Sequence, residues 1–179
     1  NVAVGHFSFP NVTSGSYNVA IGRNAMNDNA GGHRQTAIGY SSLANFTQAG
    51  DGKNTAIGMY SMSNIETGTN NTAIGYNSMK GVLGDDNDNN TAIGTSALYG
   101  TDGGDGNTAL GHQAGYNTTT GTGNVFIGKD AGYDATATDS DKLFIANATG
   151  PPLIGGDFSA GTVTIDGTLS ATAKSFNIE

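Results

Sequence analysis

Apolar and polar positions recur along residues 1 to about 135 in one short phrase, clearest as NTAIGYNSM at 71–79. An Asn is followed by Thr or Val, Ala, an aliphatic residue and Gly; after a short polar interval come a small residue and a second apolar one. Copies open at Asn1, Asn18, Gln35, Asn54, Asn71, Asn90, Asn107 and Asn124, so successive copies start 17 or 19 residues apart. That period is far below the ~33 to 47 residues of helical-pair repeats, and no stretch has the apolar spacing of an amphipathic helix. The pattern predicts an all-β fold, a parallel β-solenoid of about eight to nine coils with one coil per copy.

Residues two apart on a strand share a face. The aliphatic positions Ile21, Ile38, Ile57, Ile74, Ile93, Leu110 and Ile127, together with the Thr or Val two residues before each, are therefore expected to look into the coil as its core. The residue between them must then point outward, yet it is Ala in Ala37, Ala56, Ala73, Ala92 and Ala109, where an exposed strand normally carries longer polar side chains. A column of alanines makes sense where another sheet lies close against it, and a chain with so few residues per coil has none to spare. These alanines are expected to contact another copy of the chain.

The Gly after each aliphatic residue predicts a corner, because only Gly takes positive φ at no steric cost. A second short strand is expected beyond it, at Ser42 and Leu43, Ser78 and Met79, or Ala97 and Leu98. A polar return loop closes each coil, and the longer copies carry their extra residues there, in 47–53 and 84–90. The Asn opening most copies would occupy one corner of every coil. Such a row suits a hydrogen-bonded ladder that fixes register, and also suits sugar binding; repeat geometry favours the ladder.

Composition fits a thin coil. Gly is 29 of 179 residues, about twice its usual ~7 %, while charged residues at 12 % are about half the usual ~25 %. With seven Tyr, seven Phe and no Trp there is little material for a broad aromatic core. Cys is absent, which removes disulfide and thiol chemistry and leaves the redox compartment unreadable. A net charge of −8 with only seven Lys and Arg argues against a nucleic-acid partner, whose affinity rests on phosphate neutralisation. No apolar run approaches the ~20 residues of a membrane span, and no signal peptide is recognisable. Because the chain opens inside a repeat and without Met, it is expected to be a fragment or a processed product.

In chain order, residues 1–149 read as the repeat array and 150–179 as a C-terminal β segment leading to a downstream region. The copy at Asn124 departs from the rule by placing Phe126 where Ala is usual, and DKLFIAN at 141–147 reads as a last degenerate copy, as terminal repeats often are. Beyond Gly150, alternating Val163 and Ile165, a turn at Asp166 and Gly167 and strand character to Ile178 are expected.

Tandem NTAIGYxxL copies followed by LFI, PLIGGDFS, TLSATAKSF and NIE resemble the shaft and pre-terminal region of bacteriophage tail fibres, which an endosialidase-type intramolecular chaperone often follows. The repeats are also similar to the heads of trimeric autotransporter adhesins, which carry an (S/N)VAIG core on a left-handed parallel β-roll. The resemblance covers almost the whole chain. It implies a left-handed roll, a homotrimer, a place in a virion tail fibre or else at a cell surface, and a host cell-surface glycan or protein as receptor.

Catalytic chemistry is not expected. His6 and His112 share a repeat phase but lie six coils apart, about 29 Å at ~4.8 Å per coil, and His33 belongs to a return loop. No Ser–His–acid set, Cys nucleophile or HExxH occurs. Acidic residues gather in return loops, where Asp85, Asp86 and Asp88 are weak candidates for calcium and GGDGNTAL at 103–110 partly resembles a calcium-binding repeat, with Thr108 where that repeat needs Asp. A solubilising acidic edge is the simpler reading. Paired carboxylates for glycoside hydrolysis would want flanking aromatics, which these loops lack. The row Thr36, Thr55, Thr72, Thr91 and Thr108 raises an ice-binding face; because Val2, Val19 and Val125 occupy the same position, the row is expected to be buried, and no ice binding is expected. The reading from sequence is a non-enzymatic, trimeric attachment fibre without cofactor.

Overall fold

The structure, a computed structural model, describes residues 1–11, 14–29, 31–83 and 85–167, with the Asp85 side chain excluded. Among these residues there is no helix, and the chain winds as a parallel β-solenoid of about eight coils. Each coil contributes one three-residue strand: Val2–Val4, Val19–Ile21, Thr36–Ile38, Thr55–Ile57, Thr72–Ile74, Thr91–Ile93, Thr108–Leu110 and Val125–Ile127. Neighbours pair in parallel and in the repeat's own register, so Ala20 faces Ala37, Ala37 faces Ala56 and Ala73 faces Ala92. Lys142–Ile145 adds the next parallel strand, with Phe144 opposite Phe126.

The two faces of these strands are the reverse of the sequence expectation. Ala37, Ala56, Ala73, Ala92 and Ala109 are fully buried in the lumen of the coil, and are not an external contact column. Ile21, Ile74, Ile93, Leu110 and Ile127 lie outside, with Ile74 and Ile93 each 36 % exposed, and Ile38 and Ile57 are only half-buried on the same outer face. The lumen is narrow, and it is already filled from the opposite side by Met26, Leu43, Met62, Met79 and Leu98, all with no exposed surface. Only a methyl group fits across from them, so the strand must turn Ala inward.

Those Met and Leu side chains do not come from a second strand, as the sequence suggested. The segment after each Gly is a run of turns, and the apolar residue sits in the left-handed region, at φ 52° in Met26, 47° in Leu43 and 48° in Leu98. Backbone bonds between coils persist there: the Leu43 N–H donates to the Ser61 carbonyl at 2.9 Å and the Met79 N–H to the Ala97 carbonyl at 2.8 Å. Left-handed backbone is a genuine outlier for β-branched residues. Among the described non-Gly residues with positive φ there is no Val, Ile or Thr. Backbone conformation therefore assigns Met and Leu to the corner and the β-branched residues to the strand.

The Gly corner is sterically enforced. At Gly75, φ is 138° and an added Cβ would lie 2.5 Å from the Gly94 carbonyl oxygen of the next coil. The longer coils use their extra residues for small parallel pairs on the return side, Gly32–His33 with Gly50–Asp51 and Ile65–Thr67 with Asp85–Asp86.

After Gly150 the chain does not leave the array. Ile154–Asp157 folds back antiparallel onto Lys142–Ile145, Thr162–Ile165 pairs antiparallel with Ile154–Asp157, and the two continue the same sheet to eleven strands. Gly167, at φ 142°, follows as a bend at the position where a turn was expected. The strand expected toward Ile178 lies outside the described residues.

Candidate functional site

The Asn row is buried and engaged in structure. In each coil the Asn side-chain oxygen accepts from the backbone N–H of the next coil's equivalent residue, as in Asn18 to Gln35 at 2.8 Å, Asn54 to Asn71 at 2.9 Å and Asn90 to Asn107 at 2.8 Å. Its amide nitrogen donates to the carbonyl that closes its own return loop, Gly68 for Asn54 at 2.9 Å and Gly121 for Asn107 at 2.8 Å. The ladder thus forms from side chain to backbone rather than from one side chain to another. Gln35 interrupts it: its oxygen accepts from the Asn54 N–H at 3.0 Å, but its buried amide nitrogen has no partner.

Of the calcium candidates, Asp86 is exposed, and Asp88 is part of an inter-coil ladder. The Asp88 carboxylate accepts from the Thr69 hydroxyl at 2.9 Å and from its N–H, and Asp105 accepts from the Asp88 N–H at 2.7 Å. Among the described residues no three His, Asp or Glu side chains are grouped to hold a metal ion. His33 accepts from the Ser16 N–H at 3.2 Å, and His112 lies 3.4 Å from Asp130. The Lys129 ammonium, hydrogen-bonded at 2.8 Å, and secondarily His112 hold the Asp130 carboxyl below its usual range.

Two surfaces have features beyond fold maintenance. The first is the outer strand face, where the column of Ile, Leu and Val runs beside the column of Thr and Val. Thr36, Thr55, Thr72 and Thr91 are half-buried and Thr108 is exposed, so this row is turned outward and not into the core as expected. Val4, Leu110 and Ile127 extend the apolar column over the length of the array, and Val2 extends the Thr and Val column beside it.

The second surface follows the corner beyond the Gly, and no residue in it was singled out from sequence. A groove of about 600 Å³ crosses coils two to five there, between Asn24 and Lys80. On its aromatic side Tyr60 packs edge-on against Tyr40, with ring centroids 5.3 Å apart, and against Tyr76 at 6.4 Å. Burial and the neighbouring Tyr40 raise the Tyr60 hydroxyl above its ordinary pKa. In later coils large side chains occupy the column that Ala44 and Ser63 hold in the groove: Lys80 lies 5.5 Å over the Tyr99 ring, and Tyr99, Tyr116 and Tyr133 stack at 4.9 and 5.3 Å. Setting copies in register aligns Tyr99, Tyr116 and Tyr133, whereas Tyr60 lies one residue out of phase with Tyr40 and Tyr76 and meets them only in the fold.

No helix among the described residues is long and apolar enough to cross a membrane. No family model, curated protein or solved structure matches the chain.

Proposed function

We propose that the chain is a shaft segment of a homotrimeric attachment fibre, built as a left-handed roll, with a mechanical and receptor-presenting role and no catalysis. The observation that carries this reading is the outer strand face. Isoleucines spaced one per coil form an uninterrupted apolar strip, roughly 35 to 40 Å long at ~4.8 Å per coil, of the sort soluble monomers seldom leave uncovered. Its fitting occupant is the same strip on further copies: identical repeats give identical spacing, so rungs of parallel copies meet rung for rung around a closed axis. The likeness of the repeats to tail-fibre shafts and trimeric adhesin heads selects three copies, and favours a virion tail fibre over a bacterial surface adhesin.

Light scattering coupled to size exclusion tests this. The parent is expected at three times the 18.0 kDa chain mass, and Ile74→Arg with Ile93→Arg at the mass of one chain with its melting temperature little changed. A monomeric parent, or an intact trimer of the double variant, overturns the reading.

The outward Thr row favours a second reading, since a flat array of Thr and Ile at regular spacing is also the form of an ice-binding face. Thermal hysteresis of the purified chain decides it: activity lost in Thr72→Tyr, from a monomeric parent, supports ice binding, and its absence removes it.

A further inference from the structure

We propose that the groove across coils two to five is a binding site for a neutral, hydroxyl-rich glycan segment, lying along the fibre axis. This deepens the attachment role proposed above and rests on it. Side-chain amides line the groove at Asn24, Asn27, Asn45 and Asn64. The Asn45 nitrogen donates to the Asn64 oxygen at 3.4 Å, the Asn64 nitrogen to the Gly81 carbonyl at 3.3 Å and the Asn27 nitrogen to the Asp28 carboxylate at 3.0 Å, which leaves each of these amides a second N–H and carbonyl lone-pair capacity for a ligand. Sugar hydroxyls, which donate and accept at once, match such a lining better than a peptide or a lipid would. Among the described residues no carboxylate lines the groove, and Ala44 is the one aliphatic side chain there. An apolar ligand would find little to cover, and a cationic one no counter-charge.

Independent support comes from Ser63. It lines the groove, is only 4 % exposed, and its hydroxyl oxygen has no hydrogen-bond partner. Buried polar groups are nearly always satisfied, and this oxygen is closed off beneath the groove, so it marks polar capacity that a small shift of the lining side chains turns toward a ligand or water. Tyr60 forms the adjoining wall, held by its contacts with Tyr40 and Tyr76, and offers apolar ring surface beside a hydroxyl.

Axial alignment follows from the repeat. The Asn64 N–H donates to the Lys80 carbonyl at 3.0 Å, the Asp28 N–H to the Ala44 carbonyl at 2.8 Å and the Gly81 N–H to the Tyr99 carbonyl at 3.2 Å, so the floor positions form one column along the coil axis. Small side chains at Ala44 and Ser63 leave that column open, and the Tyr99 stack fills it further on, with Lys80 across its first ring. Among the described residues Lys80 is the only charged one lining the groove, and its ammonium can donate to hydroxyls. The chain's net charge of −8 disfavours acidic polysaccharides, which makes the ligand a neutral one.

The test is titration calorimetry of the intact assembly with hexasaccharides of α- and β-linked glucose, mannose, xylose and N-acetylglucosamine, alongside galacturonate hexamers. Binding of at least one neutral hexamer is expected, little changed between 50 and 500 mM salt, at least tenfold weaker in Tyr60→Ala and Lys80→Gln and unchanged in Lys129→Gln. Circular dichroism melting checks that the variants fold, and Asn45→Ala supplies a milder loss of the same sign if Tyr60→Ala does not. Failure of every neutral hexamer to bind, tighter binding of galacturonate, or binding indifferent to Tyr60, Asn45 and Lys80 overturns the proposal. Because scattering reports assembly separately, a trimer that binds no glycan sinks the groove alone, whereas a monomeric parent sinks the fibre.

Discussion

The early and late coils fill the same narrow lumen in opposite ways. From Asn18 to about Leu98 the strand supplies Ala and the corner a Met or Leu; in the coil that opens at Asn124 the strand supplies Phe126 and the flanking corners are Gly115 and Gly132. A Cβ on Gly115 would lie 2.7 Å from the Phe126 ring, and one on Gly132 2.2 Å from it. Volume has moved from corner to strand, one ring taking the space beside two glycine corners, as close packing demands. The exchange also prepares an ending: Phe126 stacks on Phe144, centroids 5.3 Å apart, and Phe144 lies against the core where the regular repeat stops. A solenoid end must cover an open lumen, and one ring stacked on another covers more of it than Ala would.

The largest expected effect comes from breaking that exchange. Phe126→Ala leaves a void beside two glycines and is expected to cost about 3–5 kcal/mol in chemical denaturation. Gly132→Leu alone should also destabilise, by collision with the ring, yet in the Phe126→Ala background it should recover part of the loss. A double-mutant cycle without favourable coupling would show that the two positions do not share one volume.

The Asn ladder, by contrast, should be indifferent to the region it crosses. Asn71→Ala and Asn107→Ala each remove a buried acceptor for the next coil's N–H and a donor for a loop carbonyl, and each is expected to cost about 2–4 kcal/mol. Equal melting-temperature losses would support a uniform ladder; a loss confined to one would reveal a weaker half. A smaller change of opposite sign is expected at the early defect, where Gln35→Asn shortens the side chain whose amide nitrogen lacks a partner, and should add about 1 kcal/mol in urea melts. Unchanged or lower stability would mean that the amide is satisfied by water.

The mildest contrast is with acid. Asp157 on the terminal hairpin is held well below its usual pKa by Lys142, then by the Ser159 hydroxyl and the Ala160 N–H. A carboxyl depressed in the folded state stabilises it above its unfolded value of about 4, and that contribution is lost as pH falls below this. Lys142 is raised by the same pairing, so its share is lost only as pH rises above about 10.5. Hydrogen exchange should therefore show residues 154–165 loosening near pH 3 while the Asn-laddered coils remain protected. Simultaneous loosening would show that the hairpin and the coils open as one unit.

Much of this protein is legible in its sequence because a short repeat reports the same constraint several times. The period, the parallel pairing, the Gly corners and the Asn corner follow from spacing and from what Gly and Asn can do with a backbone. Phe126 also stood out as a departure, although its compensation by Gly115 and Gly132 did not, since corner positions were read as a strand. A signal for that was present: the corner holds Met and Leu but never Val or Ile, the mark of left-handed backbone, and the strand holds the β-branched residues. The groove was harder to see, because Asn24, Asn45, Tyr60, Ser63 and Lys80 are drawn from four coils and are ordinary loop residues in each.

What the sequence by itself determined is the repeating strand and the alternation of its two faces. Which face turns inward was decided only by tertiary structure. Period two is symmetric: it separates Ala from Ile and Thr but does not say which side is the lumen. Hydrophobicity alone puts Ile inside. The coil closes instead with Leu or Met reaching across from the far corner, and the width that remains admits a methyl group and nothing larger, so Ala is buried and the isoleucines are left on the outside.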